Sequence, residues 1–162
     1  IKYKSLQMVE IERKFLITNT NFKKESEKSY IIKQGYLNRD PSRTVRIRIK
    51  NNEGYITVKG KSFDGGVSRF EWEKQIALDD AEALIKLCDS GVIHKERFIV
   101  KKGKHTFEID EFFEENSGLY IAEVELSNSN EDFIKPDWLG KEVTGDERYY
   151  NSCISRNPYS KW

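Results

Sequence analysis

Val9-Glu10-Ile11-Glu12-Arg13-Lys14-Phe15-Leu16 decides how this chain is read, because a strand drawn through it has two faces that want opposite surroundings. Successive strand side chains point to opposite faces, so Glu10, Glu12 and Lys14 share one side while Val9, Ile11 and Phe15 share the other. A single strand of this kind is usually half solvated, with its charges facing water. The pattern acquires meaning because it recurs. Arg46 and Arg48 alternate with Val45, Ile47 and Ile49; Thr57 and Lys59 with Ile56 and Val58; Glu71 and Glu73 with Phe70, Trp72 and Ile76. Lys95 and Arg97 lie beside Phe98 and Val100, Glu108 and Asp110 beside Phe107 and Ile109, and Glu123 and Glu125 between Ala122, Val124 and Leu126. The charged pairs also sort by strand, each pair being either acidic or basic.

Working outward, turn signals separate these segments and predict eight strands. Asn38 to Ser42 forms a turn cluster, Asn51-Asn52-Glu53-Gly54 a hairpin connection, Asp64-Gly65-Gly66 a loop, and Lys102-Gly103-Lys104 a second hairpin. Gln34 and Tyr36 share a face of the second strand, with Gly35 between them where another backbone can approach. Helical spacing is clear once, over 79–90, where Ala81, Leu84, Ile85 and Cys88 make an apolar stripe; a second helix is expected after Asp146, through Tyr149, Tyr150, Cys153 and Ile154. Phe70, Trp72 and Phe112 are expected on the outer face of the sheet, beneath helices.

The 162 residues suit one domain that buries roughly 70% of its unfolded surface. A hydrophobic fraction of 37% and a charged fraction of 34%, with net charge +1, give no whole-molecule attraction to nucleic acid or to an anionic membrane. Anion binding must therefore be local. Cys88 and Cys153 are far apart and outside any metal-binding spacing, which reads as reduced thiols in a cytoplasmic protein. Residues 1–7 lack a pattern; Met8 reads as the natural start and the residues before it as an extension.

Eight antiparallel strands with one apolar and one charged face close naturally into a barrel, which also removes exposed edges. With the apolar face inward the protein is a binder of a greasy ligand; with the charged face inward it encloses rings of carboxylates and cations. Sorting of charge has little effect on a surface, where an exposed pair is worth about 0–1 kcal/mol. Inside, each group needs a counter-charge, a metal or an ionic ligand. The inward arrangement is the one we expect. Oxygen-only ligands suit a hard divalent ion such as Mg2+ or Mn2+, and the remaining cations suit an oxygen-rich polyanion, with a linear triphosphate the natural guest.

These residues also resemble a known family. Glu10-x-Glu12-x-Lys14 is similar to the ExExK signature of the CYTH superfamily, the triphosphate tunnel metalloenzymes, in their short bacterial single-domain form. The resemblance continues through Gln34-Gly35-Tyr36-Leu37, Arg46-x-Arg48, Thr57-Val58-Lys59-Gly60, Glu71-x-Glu73, Lys95-x-Arg97, Glu108-Ile109-Asp110-x-Phe112 and Ala122-Glu123-Val124-Glu125-Leu126, then Trp138 to Thr144 with Asp146, Arg148, Tyr149 and Asn151. It implies a closed eight-stranded antiparallel tunnel with helices outside and a C-terminal helix plugging one mouth. It implies roles as well. Glu10, Glu12 and Glu123 would hold a metal; Glu71, Glu73 and Glu125 would orient a second metal or the attacking water, with Asp110 a further ligand; Lys14, Arg46, Arg48, Lys59, Lys95 and Arg97 would grip phosphate oxygens, joined by Arg148 from the plugged side. Lys14, Arg48, Glu73 and Glu125 are the expected catalytic groups.

The implied activity is metal-dependent hydrolysis of tripolyphosphate, extending to nucleoside triphosphates, by a monomer or homodimer. Its rivals are a class IV-type adenylate cyclase, a thiamine triphosphatase and a polyphosphate-binding module without turnover. The family's cyclases tend to carry a His-Phe pair upstream of ExExK, whereas Ser5-Leu6-Gln7-Met8-Val9 stands here.

Overall fold

The computed structural model describes residues 9–162. The expected extension at residues 1–7 lies outside the described residues. The strands are β1 (Val9–Ile17), β2 (Lys28–Asn38), β3 (Arg43–Lys50), β4 (Glu53–Phe63), β5 (Ser68–Ile76), β6 (Ile93–Lys102), β7 (His105–Phe112), β8 (Tyr120–Glu125) and β9 (Leu139–Glu142). The helices are short: α1 (Phe22–Glu25), α2 (Leu78–Ile85) and α3 (Asn151–Arg156).

Eight strands close a barrel in the order β1-β5-β4-β3-β2-β6-β7-β8 and back to β1, and β9 adds to β1 as a ninth strand. Every pairing is antiparallel. Local chemistry makes the turns: Asn51 at φ 53° turns β3 into β4, and Gly103 at φ 59° turns β6 into β7. Both positions need the left-handed region that Asn and Gly tolerate best. β4 runs on past Lys59 to Phe63, with a register shift against β5 between Lys59 and Ser62. β9 is a strand beyond the eight expected; its backbone pairs with the part of β1 that β5 leaves free.

The apolar outer faces are covered in two patches. Phe15, Phe107, Ile109, Val124 and Trp138 pack with Phe22 of α1 into one cluster, in which Phe22 and Trp138 meet edge to face at 5.9 Å. Burying each such side chain is worth about 1.5–3 kcal/mol. The second patch seats α2 on Ile47, Ile49 and Ile56. α2 and the turn after it come this close because Gly54 and Gly35 lie beneath them; a Cβ at Gly54 would stand 2.6 Å from that of Ala81, and one at Gly35 2.8 Å from that of Cys88.

Three aromatic placements differ from expectation. Phe70 and Trp72 do lie on the outside but are each 39% exposed, more open than a covering helix would leave them. Phe112 faces the interior, where it packs with Tyr36, Ile93, Ile121 and Ile154 of α3. It follows Asp110 by two residues, so the pleat puts both on the same face. An apolar floor is thereby built at the end of the barrel that α3 closes.

Candidate active site

The strand phase that carries the charges points inward, around a cavity of about 450 Å3. Its lining includes Glu10, Glu12 and Lys14 of β1, Arg46 and Arg48 of β3, Lys59 of β4, Glu71 and Glu73 of β5, Lys95 and Arg97 of β6, and Glu123 and Glu125 of β8. The order of closure divides this lining into two arcs. β7, β8, β1 and β5 are neighbours and carry the carboxylates; β4, β3, β2 and β6 are neighbours and carry most of the cations.

In the acidic arc Lys14 is the cation between two carboxylates, its Nζ lying 3.1 Å from Glu12 Oε1 and donating to Glu123 Oε1 at 2.8 Å. Lys59 reaches across from β4, donating to Glu10 Oε2 at 2.7 Å and lying 3.0 Å from Glu71 Oε2. These pairs leave negative charge in excess. Burial, with Glu123 beside it, pushes the Glu12 carboxyl up to about 7. Glu10 is raised by burial and by Glu71, against the pull of Lys59. Glu125, which forms no ion pair with the described residues, is raised by burial and by Glu10, Glu108, Glu12 and Glu71. Glu123 goes the other way: Lys14, Arg97 and Lys95 overcome its burial and hold it well below the usual range.

The basic arc has the opposite imbalance. Arg48 donates from Nε to Gln34 Oε1 at 2.9 Å and pairs with no carboxylate among the described residues. Burial, with Arg46 and Arg97 close by, pushes it down to about 10, so it remains cationic at neutral pH. Arg46 donates from Nη2 to Thr57 at 3.0 Å and to Glu73 Oε2 at 3.3 Å, while its buried Nε has no acceptor. An unsatisfied buried donor costs about 1–3 kcal/mol, which an oxyanion at that nitrogen would relieve. Lys50, on the same face of β3, also lines the cavity and is held by Tyr30 and Tyr55, whose ring centres lie 4.8 and 5.4 Å from its Nζ.

Two expected residues are placed elsewhere. Asp110 is fully buried and absent from the cavity lining, taken up by Arg97 through bonds of 2.6 and 2.8 Å and by Lys95 at 2.6 Å. It buttresses the cations and has no free oxygen to offer a metal. Arg148 is also off the lining: its side chain is 64% exposed and folds back on Asp146, to which it donates at 2.9 Å. Glu108 shares the inward face and receives Arg97 Nη1 at 2.7 Å.

Other lining residues carry weaker sequence signals. Lys50 and Arg69 continue the inward phase of β3 and β5, so alternation alone could have found them. From α3, Asn151 enters the barrel and its Oδ1 accepts from Gln34 Nε2 and Lys95 Nζ, both at 2.9 Å. Its place in the C-terminal motif was legible, but its partners were not.

The donor set fits a hard divalent cation. It is oxygen only, three of its carboxyls (Glu10, Glu12 and Glu125) are raised by burial and by neighbouring carboxylates, and the buried Glu71 Oε2 accepts no hydrogen bond despite the nearby Lys59 ammonium. Among the described residues no three such side chains are already gathered into a metal cluster; ammonium groups stand between them.

A closed barrel with an ionic interior, an acidic arc facing a basic one and a helix across one end defines a tunnel for a small polyanion. The chain belongs to the CYTH domain family, whose sequence model matches residues 8–151. It is 44% identical over 154 residues to an inorganic triphosphatase of Acetivibrio thermocellus, covering 94% of this chain and 97% of that one. With an inorganic triphosphatase of Nitrosomonas europaea it shares 35% identity over 153 residues, covering 91% and 97%. A crystal structure of an inorganic triphosphatase superposes with a TM-score of 0.64 at 32% identity, covering 90% of this chain and 96% of that one. No helix among the described residues is long and apolar enough to cross a membrane.

Proposed function

We propose that the protein is a single-domain, cytoplasmic enzyme that hydrolyses inorganic triphosphate with the help of Mg2+ or Mn2+. The observation that carries this reading is the division of the lining into an acidic and a basic arc facing one cavity. A polyanion alone satisfies only the basic arc, and a metal alone only the acidic one; together they satisfy both. The relatives named as inorganic triphosphatases support the same substrate.

Arg46, Arg48, Lys59, Lys95 and Arg97 bind and align the phosphate chain, and Lys14, already flanked by carboxylates, places an ammonium against the phosphoryl group under attack. Glu10, Glu12 and Glu123, with Glu71 and Glu73, would hold the metal, which when bound would supply Lewis-acid neutralisation of the charge that builds on phosphate oxygens. Glu125, whose carboxyl is raised and unpaired, accepts the proton of the attacking water at a carboxylate oxygen. Lys and Arg donors preset around the chain lower the barrier because they need little rearrangement as charge shifts toward the leaving oxygen.

The test is release of phosphate from tripolyphosphate, ATP and thiamine triphosphate, with Mg2+, Mn2+ or neither, alongside detection of cyclic AMP. Metal-dependent turnover with tripolyphosphate preferred is expected. Cyclic AMP as the main product, or no turnover with any of the three, would overturn the proposal.

A further inference from the structure

The amide of Asn151 has an unusual position: one oxygen, on the first turn of the helix that plugs the barrel, serves two donors from different strands. Oδ1 accepts from Gln34 Nε2 on β2 and from Lys95 Nζ on β6, each at 2.9 Å. Neither donor is an idle surface group. Gln34 is fully buried and passes the connection on, its Oε1 receiving Arg48 Nε at 2.9 Å. Lys95 is 1% exposed, and its other strong partner is Asp110 at 2.6 Å. From Arg48 to Asp110 the chain of bonds is continuous, and Asn151 is its only member outside the barrel wall.

We infer that Asn151 is a positioning residue for the reaction: its carbonyl oxygen fixes the Lys95 ammonium directly, and the Arg48 guanidinium through Gln34, in the geometry that grips the phosphate chain. The inference rests on the proposed triphosphatase reading and assigns to the plug helix a part in substrate alignment beyond closing the tunnel. The physical reason lies in the donors. Lys95 and Arg48 are buried donors with few acceptors, so each would turn toward whatever acceptor is offered. A shared oxygen ties their directions together. Because a displacement of about 1 Å can cost about a hundredfold in rate, losing that oxygen should be felt in turnover even if the fold persists.

Two isosteric replacements separate this role from packing. Asn151→Asp keeps an acceptor oxygen at the same place, whereas Asn151→Leu keeps the size and shape and removes every acceptor. Steady-state hydrolysis of tripolyphosphate with Mg2+ should give Asn151→Asp a kcat/KM within about threefold of the unsubstituted protein. Asn151→Leu should fall by about thirtyfold or more, with kcat reduced as well as KM raised, while its melting temperature stays within a few degrees. Calorimetric titration with tripolyphosphate alone gives a readout independent of turnover, and the Leu variant should bind more weakly than the Asp variant there too. Equal activity and binding in the Leu and Asp variants, whether both high or both low, would overturn the inference. An unsubstituted protein that binds tripolyphosphate without hydrolysing it would overturn the triphosphatase reading and leave the binding comparison to decide the role of Asn151. Absence of binding as well would overturn both.

Discussion

Glu12 and Glu125 stand directly opposite each other across β1 and β8, two carboxylates at one rung of the ladder. Like charges so placed destabilise a sheet, and both carboxyls are raised, Glu12 to about 7. For Glu12 the folded value lies above the ordinary 4.5, so folding favours the protonated form. Its contribution is therefore most favourable below pH 4.5 and is lost as pH rises through about 7. Glu12→Gln should raise the melting temperature of metal-free protein at pH 8, by up to about 3 kcal/mol of stability, and change it little at pH 4. Calorimetric melts at the two pH values check this.

The same repulsion should make the protein sensitive to divalent metal. At pH 8, Mg2+ or Mn2+ at about a hundred times its dissociation constant should stabilise the fold by about 2.7 kcal/mol. The shift should shrink or vanish in Glu12→Gln and in Glu10→Gln. Thermal melts across a metal titration give the answer without any substrate.

Lys14→Ala should reduce tripolyphosphate hydrolysis by about a hundredfold or more, equivalent to about 3 kcal/mol of barrier. It should also lower the melting temperature, because Glu12 and Glu123 lose the ammonium between them and removing one partner of a buried pair costs about 3–5 kcal/mol. Kinetics and melts on one preparation, with circular dichroism to establish folding, separate the two effects.

Arg48→Ala and Arg148→Ala should behave oppositely. Arg48 lines the cavity without a carboxylate partner, and its loss should cut kcat/KM by about a hundredfold; Arg148 is exposed on Asp146, and its loss should leave kcat/KM within about twofold. Comparable losses in both would contradict the placement of Arg148.

Gly54→Ala should destabilise the fold by about 1–3 kcal/mol, since the new methyl group would stand 2.6 Å from the Ala81 Cβ and press α2 off the sheet. A lower denaturation midpoint with little change in KM is the expected result.

Much of this could be read from alternation alone. The phase of Glu10, Glu12, Arg46, Arg48, Glu123 and Glu125 follows from the pleat, and segregation of charge favoured an ionic interior. What alternation could not supply was the sequence of neighbours around the barrel. That β5 closes on β1, and so joins Glu71 and Glu73 to the acidic arc, depends on pairing between residues about sixty apart in the chain. Asp110 and Glu123 share a residue class and an inward phase, yet only Glu123 lines the cavity, because depth along the barrel is a tertiary property. Phe112 was misplaced for a different reason. Its aromatic character suggested the apolar outside, but its phase was that of Asp110, and the plugged end of the barrel turns out to be greasy. Arg148 shows the limit of reading a basic residue by type: an acid two positions earlier claims it.

The β1 strand has three partners, β5 and β9 along one edge and β8 along the other, and β9 is drawn from residues more than a hundred positions downstream. Val143 N donates to Lys14 O at 2.8 Å, so even the backbone of the ExExK lysine is held by the far end of the chain. The segment bearing Glu10, Glu12 and Lys14 therefore completes neither edge until 120–142 are available, because β5 covers only Val9 to Ile11 on one side. Contacts of such long separation slow folding and leave a sticky edge in the interim. The charged residues that make the tunnel useful thus also keep that waiting strand from pairing with the wrong neighbour.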